Sequence, residues 1–273
     1  MSSTNFPNAK AFLVIVVLAL NGLGAPKTHD VDKKFAKHPY DLMSIYLTGM
    51  PSPTAPIVVV MHGDAPWVNP GRQYAFASNL ADAVPGTRVV TLLKPGSTHP
   101  YEARSGGDRA IAFGDSCAPS VVDDIAGAIQ SVKSHWEAPS VVLVGDSGAA
   151  AVAAYVAALH PGLVQHVVLI GCPCDVPALR SHVWRSQRNL LWLPAVHNLS
   201  PLQSLDYMGK AIKVTAISGM NDSITPPQYA RSYVAKATTL GISASMIIIP
   251  SRGHEIMNDP VVIEDIADAV RDN

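Results

Sequence analysis

The sequence is poor in charged residues and shows no excess of either sign. Charged side chains make up only 15% of the 273 residues, and the formal net charge is −1. No basic stripe runs along the chain, which argues against a nucleic acid partner. Hydrophobic residues reach 48%, so the composition disfavours a disordered chain. The length and composition therefore favour one globular domain with a sizeable core.

Cysteine is also scarce, with only Cys117, Cys172 and Cys174 in the chain. No second Cys or His pair accompanies the Cys-Pro-Cys segment at the spacing of a zinc site, so we predict no metal and no cofactor. Cys172 and Cys174 are too close in sequence to be an easy pair. The testable disulfide therefore joins Cys117 to one of them, and three small buried apolar side chains are the alternative.

The N-terminal apolar run is too short for the roughly 20 residues of a membrane-spanning helix. This run covers residues 11–20, follows Lys10 and precedes Gly22 and Gly24. That arrangement is typical of a secretory signal. We predict a signal peptide over residues 1–25 and an exported protein, periplasmic or secreted, with no stable membrane span in the mature chain. An uncleaved N-terminal anchor and a buried N-terminal helix or strand are the alternatives.

From residue 57 onward, short apolar runs alternate with longer segments of helical character. Runs that are apolar at consecutive positions are typical of strands buried on both faces of a parallel sheet. The predicted strands are residues 57–61, 88–93, 140–144, 167–170, 214–218 and 245–249, with an antiparallel edge strand at 41–47. The predicted helices are residues 73–84, 120–136, 149–159, 226–240 and 260–272, the last two starting at prolines. This alternation predicts a doubly wound α/β domain over residues 26–273.

Two segments interrupt the alternation. Residues 94–119 are rich in Gly, Ser and Pro, which predicts a long loop. Residues 173–209 are longer than a plain crossover and predict a small helical cap insertion. Trp67, Trp184 and Trp192 are candidates for the lining of a substrate pocket, and core packing is the alternative for each.

The strongest signal for chemistry is the segment Gly145-Asp146-Ser147-Gly148-Ala149, where an apolar strand ends and an alanine-rich helix begins. A nucleophile elbow requires this strand–turn–helix context, because the turn is so tight that flanking residues must be small. Ala149 departs from the last glycine of the G-x-S-x-G pattern by one methyl group. We predict Ser147 as a nucleophile, and an ordinary serine N-cap is the alternative.

A serine hydroxyl needs an adjacent base, which a third group must hold in place. Of the ten histidines, His254 is the best placed because it follows the last predicted strand. Asp222 follows the preceding strand and is the predicted acid, with Asp175 as a weaker competitor. The resulting chain order of Ser, Asp and His differs from the two well-known protease orders.

A developing oxyanion also needs backbone N–H donors. One predicted donor is the N–H of Gly148, directly after the nucleophile. The other is the N–H of Asp64, with that of Ala65 as a fallback, because His62-Gly63 ends the first central strand and the glycine permits a sharp turn.

Together, His62-Gly63, the elbow segment at 145–149, Asp222 and His254 resemble the α/β-hydrolase superfamily over roughly residues 40–273. The resemblance implies the α/β-hydrolase fold, with an eight-stranded, mostly parallel sheet flanked by helices. It also implies hydrolysis of carboxylic esters through an acyl-enzyme. The elbow is similar to the Gly-Asp-Ser-Ala-Gly-Gly of hormone-sensitive-lipase-like esterases. The His-Gly-Gly-Gly motif of that group is absent, and the His-Gly-X loop is more like the general esterase, haloperoxidase and lactonase branches.

Several functions fit this pattern. The leading hypothesis is a serine carboxylesterase that acts on a small-molecule ester, with lactonase, thioesterase, peptidase and perhydrolase as alternatives on the same triad. Epoxide hydrolase and dehalogenase chemistry is disfavoured, because it needs a carboxylate where Ser147 stands. The alternative of another class is a non-catalytic α/β-hydrolase-fold binding protein. The presence of all three triad residue types weighs against it.

Overall fold

A computed structural model describes residues 28–30, 43–64, 70–94, 96–98, 105, 119–188 and 200–272. The predicted signal peptide at residues 1–25 lies outside these ranges, as do Ala65, Trp67, Cys117 and Trp192. Across the described ranges, no helix combines the length and the apolar content needed to cross a membrane.

The described chain contains eight strands that hydrogen-bond into one sheet. In chain order they are β1 (Thr28–Asp30), β2 (Met43–Leu47), β3 (Ile57–Met61), β4 (Arg88–Leu92), β5 (Val141–Asp146), β6 (His166–Ile170), β7 (Lys213–Gly219) and β8 (Ser243–Ile249). Their order across the sheet is β1-β2-β4-β3-β5-β6-β7-β8. Strands β3 to β8 are parallel, whereas β2 pairs antiparallel with both β1 and β4. The mostly parallel sheet predicted from the sequence is confirmed.

The predicted edge strand at 41–47 is present as β2, but it does not form the edge. Strand β1 pairs with its outer side and sets Thr28 opposite Leu47. A strand of three residues is too short to show the alternation that reveals strands in a sequence, so β1 was not predicted.

Helices fill the connections between the parallel strands. They are α1 (Arg72–Ala83), α2 (Pro119–His135), α3 (Gly148–Leu159), α4 (Val176–Gln187), α5 (Pro201–Ser204), α6 (Gln228–Thr239) and α7 (Pro260–Arg271), with a 3-10 turn at Leu205–Tyr207. The helix predicted to start at Pro226 starts at Gln228, and Pro227 is its N-cap. A residue that precedes a proline avoids the helical conformation, so Pro226 stays outside the helix.

Two apolar cores lie on opposite faces of the sheet, because successive strand residues point to opposite sides. Val58 and Val60 belong to one core, together with Phe76 of α1 and Val262 of α7. Val59 belongs to the other core, which also contains residues of α2, α3 and α6. Helices therefore cover both faces, as in a doubly wound sheet.

The segment predicted as a cap contains α4, α5 and the 3-10 turn, whereas residues 189–199 lie outside the described chain. Helix α5 packs against α3 and α6. Asp175, the weaker competitor for the catalytic acid, is the N-cap of α4, where its carboxylate accepts the N–H of Ala178 at 3.1 Å. A carboxylate engaged in helix capping leaves Asp222 as the candidate acid.

The cysteine pairing differs from the prediction. Cys172 and Cys174 form a disulfide, so the preference for a bridge from Cys117 to one of them was wrong. An extended chain would separate these two Cα atoms by about 7 Å. The backbone between them is more compact, with a Cα–Cα separation of 5.1 Å that lies within the usual range for a disulfide.

Candidate active site

Ser147 lies in the sharp turn between β5 and α3. Its backbone has a φ of +54°, which is the left-handed region that non-glycine residues rarely adopt. The Ser147 N–H donates to the carbonyl of Ile170 at 2.8 Å, which ties the turn to the end of β6. The side chain makes no capping hydrogen bond to α3, so the alternative of a serine N-cap does not describe it.

His254, in the segment that follows β8, reaches the hydroxyl of Ser147 across the carboxyl edge of the sheet. Its Nε2 lies 2.9 Å from Ser147 Oγ, and its Nδ1 lies 2.8 Å from Asp222 Oδ2. The three side chains predicted from the sequence therefore form one chain of hydrogen bonds. Because the Asp222 carboxylate can only accept, Nδ1 carries the proton of the neutral ring and Nε2 presents a lone pair to Ser147.

The turn after β7 fixes the orientation of Asp222. One carboxylate oxygen, Oδ1, accepts the N–H groups of Ile224 and Thr225, both at 2.9 Å. The other oxygen, Oδ2, faces His254. Burial alone would raise the pKa of Asp222, but the hydrogen bond and charge of His254 and the bonds from Thr225 hold it below its usual value. Asp222 therefore stays ionised beside the imidazole.

The electrostatic surroundings of His254 favour its protonated form. Burial would lower the pKa of the imidazole, but the hydrogen bond and charge of Asp222, followed by the charge of Asp146, raise it above the usual value. This is the direction that a general base needs, because a more basic imidazole takes the Ser147 proton more readily.

Asp146 is the residue before the nucleophile, and it contacts the loop after β3. Burial raises the pKa of Asp146 to about 6, against the opposing charges of His254, Arg72 and Lys94 and a hydrogen bond from the Gly63 backbone. The elbow is thereby linked to the loop that carries the predicted oxyanion donor. The sequence located Asp146 within the elbow but gave no sign of this contact.

Of the two predicted oxyanion donors, Gly148 follows Ser147 directly, and Asp64 follows Gly63, which lies against Ser147. Gly148 is the first residue of α3, so its N–H is at the helix start. A Cβ on Gly63 would lie 3.0 Å from Ser147 Cβ, which places the residue before Asp64 directly against the nucleophile. His62 supports this loop: its Nε2 accepts the Lys94 N–H at 3.0 Å, and its Nδ1 lies 2.8 Å from the Gly63 carbonyl. The Nδ1–H tautomer satisfies both contacts.

Two ion pairs surround the site, and the sequence did not predict them. Lys94 Nζ lies 2.5 Å from Asp64 Oδ1, and the Asp64 carboxylate occupies the space that a Cβ on Gly148 would need. Arg72, at the start of α1, pairs with Glu255, the neighbour of His254. Each pair joins residues that are distant in the chain, so neither leaves a local signal in the sequence.

Of the three candidate pocket tryptophans, Trp184 alone lies in the described residues. Trp184 lies on α4, where the guanidinium of Arg188 is 5.9 Å from the centre of its ring. In the described ranges, no cluster of three or more His, Cys, Asp or Glu residues could hold a metal ion.

The chain matches no protein-family model and no curated protein. It is similar to solved structures: esterase PE8 has a TM-score of 0.60 at 18% identity, over 85% of this chain and 97% of that chain. A truncated carbohydrate esterase from gut microbiota has a TM-score of 0.64 at 16% identity, over 90% and 95%. Carboxyl esterase 2 of the fungus Tuber melanosporum has a TM-score of 0.62 at 17% identity, over 90% and 87%. These likenesses and the sheet order show that the chain has the α/β-hydrolase fold.

Proposed function

We propose that this protein is a serine hydrolase that cleaves small-molecule carboxylic esters through an acyl-enzyme. The observation that carries the proposal is the unbroken chain of hydrogen bonds from Ser147 through His254 to Asp222, with contacts of 2.9 and 2.8 Å. That chain supplies a nucleophile, a base and the group that orients the base. The structurally similar proteins named above are esterases, which agrees with this chemistry.

In the first half of the reaction, Ser147 Oγ attacks the ester carbonyl carbon while His254 Nε2 takes the hydroxyl proton. Asp222 stabilises the resulting imidazolium, and the N–H groups of Gly148 and Asp64 donate to the oxyanion. As the tetrahedral intermediate collapses, His254 gives the proton to the departing alkoxide. An alcohol leaves, and the acyl group stays on Ser147.

The second half repeats these steps with water as the nucleophile. His254 removes a proton from the water as its oxygen attacks the acyl carbon, and it then returns the proton to Ser147 Oγ when the acid leaves. The strained backbone of Ser147 supports a catalytic role. A left-handed non-glycine residue costs on the order of 1–3 kcal/mol and is found mainly where function requires it.

The test is Ser147→Ala, assayed on p-nitrophenyl acetate and butyrate. We expect kcat to fall by about 10⁶-fold, because the nucleophile is lost. A fluorophosphonate should label the wild-type protein at residue 147 and leave the variant unlabelled. Ser204→Ala is the matched control, since Ser204 is a buried serine that donates to the Pro201 carbonyl away from the site. Equal turnover by wild type and Ser147→Ala would reject the mechanism. A wild-type protein that neither turns over these esters nor reacts with the probe would indicate the binding-protein alternative.

A further inference from the structure

The hydroxyl of Thr225 lies between the candidate acid and the candidate base. Its Oγ1 is 2.9 Å from Asp222 Oδ2, 3.0 Å from His254 Nδ1 and 2.9 Å from the Gly171 carbonyl oxygen. Thr225 is buried, with 3% of its surface exposed. Two of these neighbours belong to the candidate site and Gly171 directly follows β6, so the hydroxyl is a candidate for a role in the chemistry.

A count of protons decides which contacts can form together. A hydroxyl has one hydrogen to donate and two lone pairs that accept, whereas the carbonyl of Gly171 and the carboxylate of Asp222 can only accept. Nδ1 of His254 carries a proton when Nε2 faces Ser147 as an acceptor. That N–H can therefore be shared between Asp222 Oδ2 and Thr225 Oγ1, as a three-centre hydrogen bond.

The Thr225 hydrogen has two acceptors at 2.9 Å, Asp222 Oδ2 and the carbonyl of Gly171. The Gly171 N–H donates to the carbonyl of Ile217 at 2.8 Å, which fixes the backbone at the end of β6. With its hydrogen on the Gly171 carbonyl, the hydroxyl turns a lone pair toward His254. A Cβ on Gly171 would lie 3.1 Å from His254 Cε1 and 3.5 Å from Thr225 Oγ1, so the backbone packs closely against both side chains.

We propose that Thr225 is a positioning residue of the hydrolase, and that its hydroxyl is a second acceptor for the Nδ1–H of His254. This inference rests on the proposed function, because the role matters in the step in which His254 takes the Ser147 proton. Thr225 holds the imidazole in the reactive tautomer together with Asp222. It also shares the positive charge that develops on the ring as the proton arrives.

The first test compares Thr225→Val, which keeps the shape but loses the hydroxyl, with Thr225→Ser, which keeps the hydroxyl. We expect the valine variant to lose about tenfold in kcat on p-nitrophenyl acetate with KM unchanged, and the serine variant to stay within about threefold of wild type. The acid limb of the kcat/KM profile should move to lower pH in the valine variant, because the protonated ring loses an acceptor. Thr215→Val is the matched control, since Thr215 is a buried threonine that contacts His166 at 2.9 Å elsewhere in the sheet.

The second test separates this role from simple support of the Asp222 carboxylate. In an Asp222→Ala background, Thr225 is the remaining acceptor of the pair, so Thr225→Val should cost more there than in wild type. If the hydroxyl acts only by donating to Asp222, the same change should cost nothing in that background. That result, or an unshifted pH profile in Thr225→Val, would overturn the proposal while leaving the esterase function intact. Turnover that survives Ser147→Ala would instead overturn the function, and the role of Thr225 with it.

Discussion

Asp146 shows how one side chain beside the candidate nucleophile affects the candidate base. Its carboxylate accepts a hydrogen bond from the Gly63 backbone and raises the pKa of His254 through its charge. Burial raises its own pKa to about 6, so its charge changes over the pH range in which an imidazole also titrates. The two groups therefore titrate as a coupled pair rather than independently.

Asp146→Asn should move the acid limb of kcat/KM to lower pH. Asparagine keeps an oxygen for the Gly63 N–H but removes the negative charge that raises the pKa of His254. A base acts only in its neutral form, so a lower pKa keeps His254 active further into acid. The measurement is kcat/KM on p-nitrophenyl acetate between about pH 4.5 and 9, a range that brackets these carboxyl and imidazole titrations. Asp123→Asn is the control, since Asp123 pairs with His160 on the surface. A limb that stays in place or moves to higher pH would contradict this account.

At the scale of residues, the sequence was informative where chemistry coincides with a strand end. Ser147, Asp222 and His254 each follow a predicted strand, and parallel strands bring such positions to one edge. Thr225 was within reach of the same reasoning, because it lies three residues after the acid in the same turn. Lys94 was not, since its pairing with Asp64 depends on the packing of β3 beside β4. The disulfide was missed because the local backbone conformation, rather than the separation in sequence, sets the distance between the two cysteines.

At the scale of elements, the crossing of β5 and α3 explains the small residues of the elbow. A Cβ on Gly145 would overlap the carbonyl of Ala149 and the Cα of Ala150, both of which are backbone atoms that cannot rotate away. Helix α3 is buried along its length, from Gly148 to Ala158. The helix therefore cannot shift outward to make room.

Gly145→Ala should destabilise the fold by roughly 1–3 kcal/mol, because the extra methyl group forces the helix and the strand apart. Chemical denaturation gives the free energy of unfolding. Gly209→Ala is the matched control, since the nearest atom to a Cβ there is Pro161 Cβ at 3.9 Å, an ordinary contact. If the two variants lose the same free energy of unfolding, the close crossing of β5 and α3 is not the reason for a glycine at position 145.

The long elements were predicted well because their periodicity extends over many residues. All five predicted helices and all six predicted parallel strands are present in the described chain, with ends that differ by at most two residues. Strand β1 was missed because it is too short to show a pattern. The start of α6 was misplaced because two consecutive prolines occupy the turn, and only the second joins the helix as its N-cap.

At the scale of the whole molecule, a buried histidine makes stability depend on pH. His166 on β6 contacts Thr215 on β7, and burial followed by the charge of Lys213 lowers the pKa of His166 to about 4. The unfolded chain binds this proton near pH 6.5, so protonation favours unfolding between these two values. Above the unfolded pKa, the free energy of unfolding is unaffected by protonation of His166. As the pH falls from there toward 4, protonation of the unfolded chain lowers this free energy by about 3 kcal/mol at most.

His166→Gln should therefore flatten the acid side of the stability profile. Glutamine keeps a polar group near Thr215 but takes up no proton, so the variant should lose less stability than wild type between pH 7 and pH 5. Urea unfolding at the two pH values gives the change in unfolding free energy with pH for each protein. Comparing these two changes cancels any constant cost of the substitution. If both proteins lose the same unfolding free energy between pH 7 and pH 5, other groups cause the acid sensitivity.

The candidate nucleophile and the two groups proposed to activate it lie on opposite sides of the connection between α4 and α5. Residues up to α4 carry Ser147, and residues from α5 onward carry Asp222 and His254. Cutting the chain at this connection would yield two halves, each of which lacks a partner that the other supplies. Ester turnover would then come only from molecules in which the two halves had associated. The protein would therefore serve as a split reporter for the association of two fused partners.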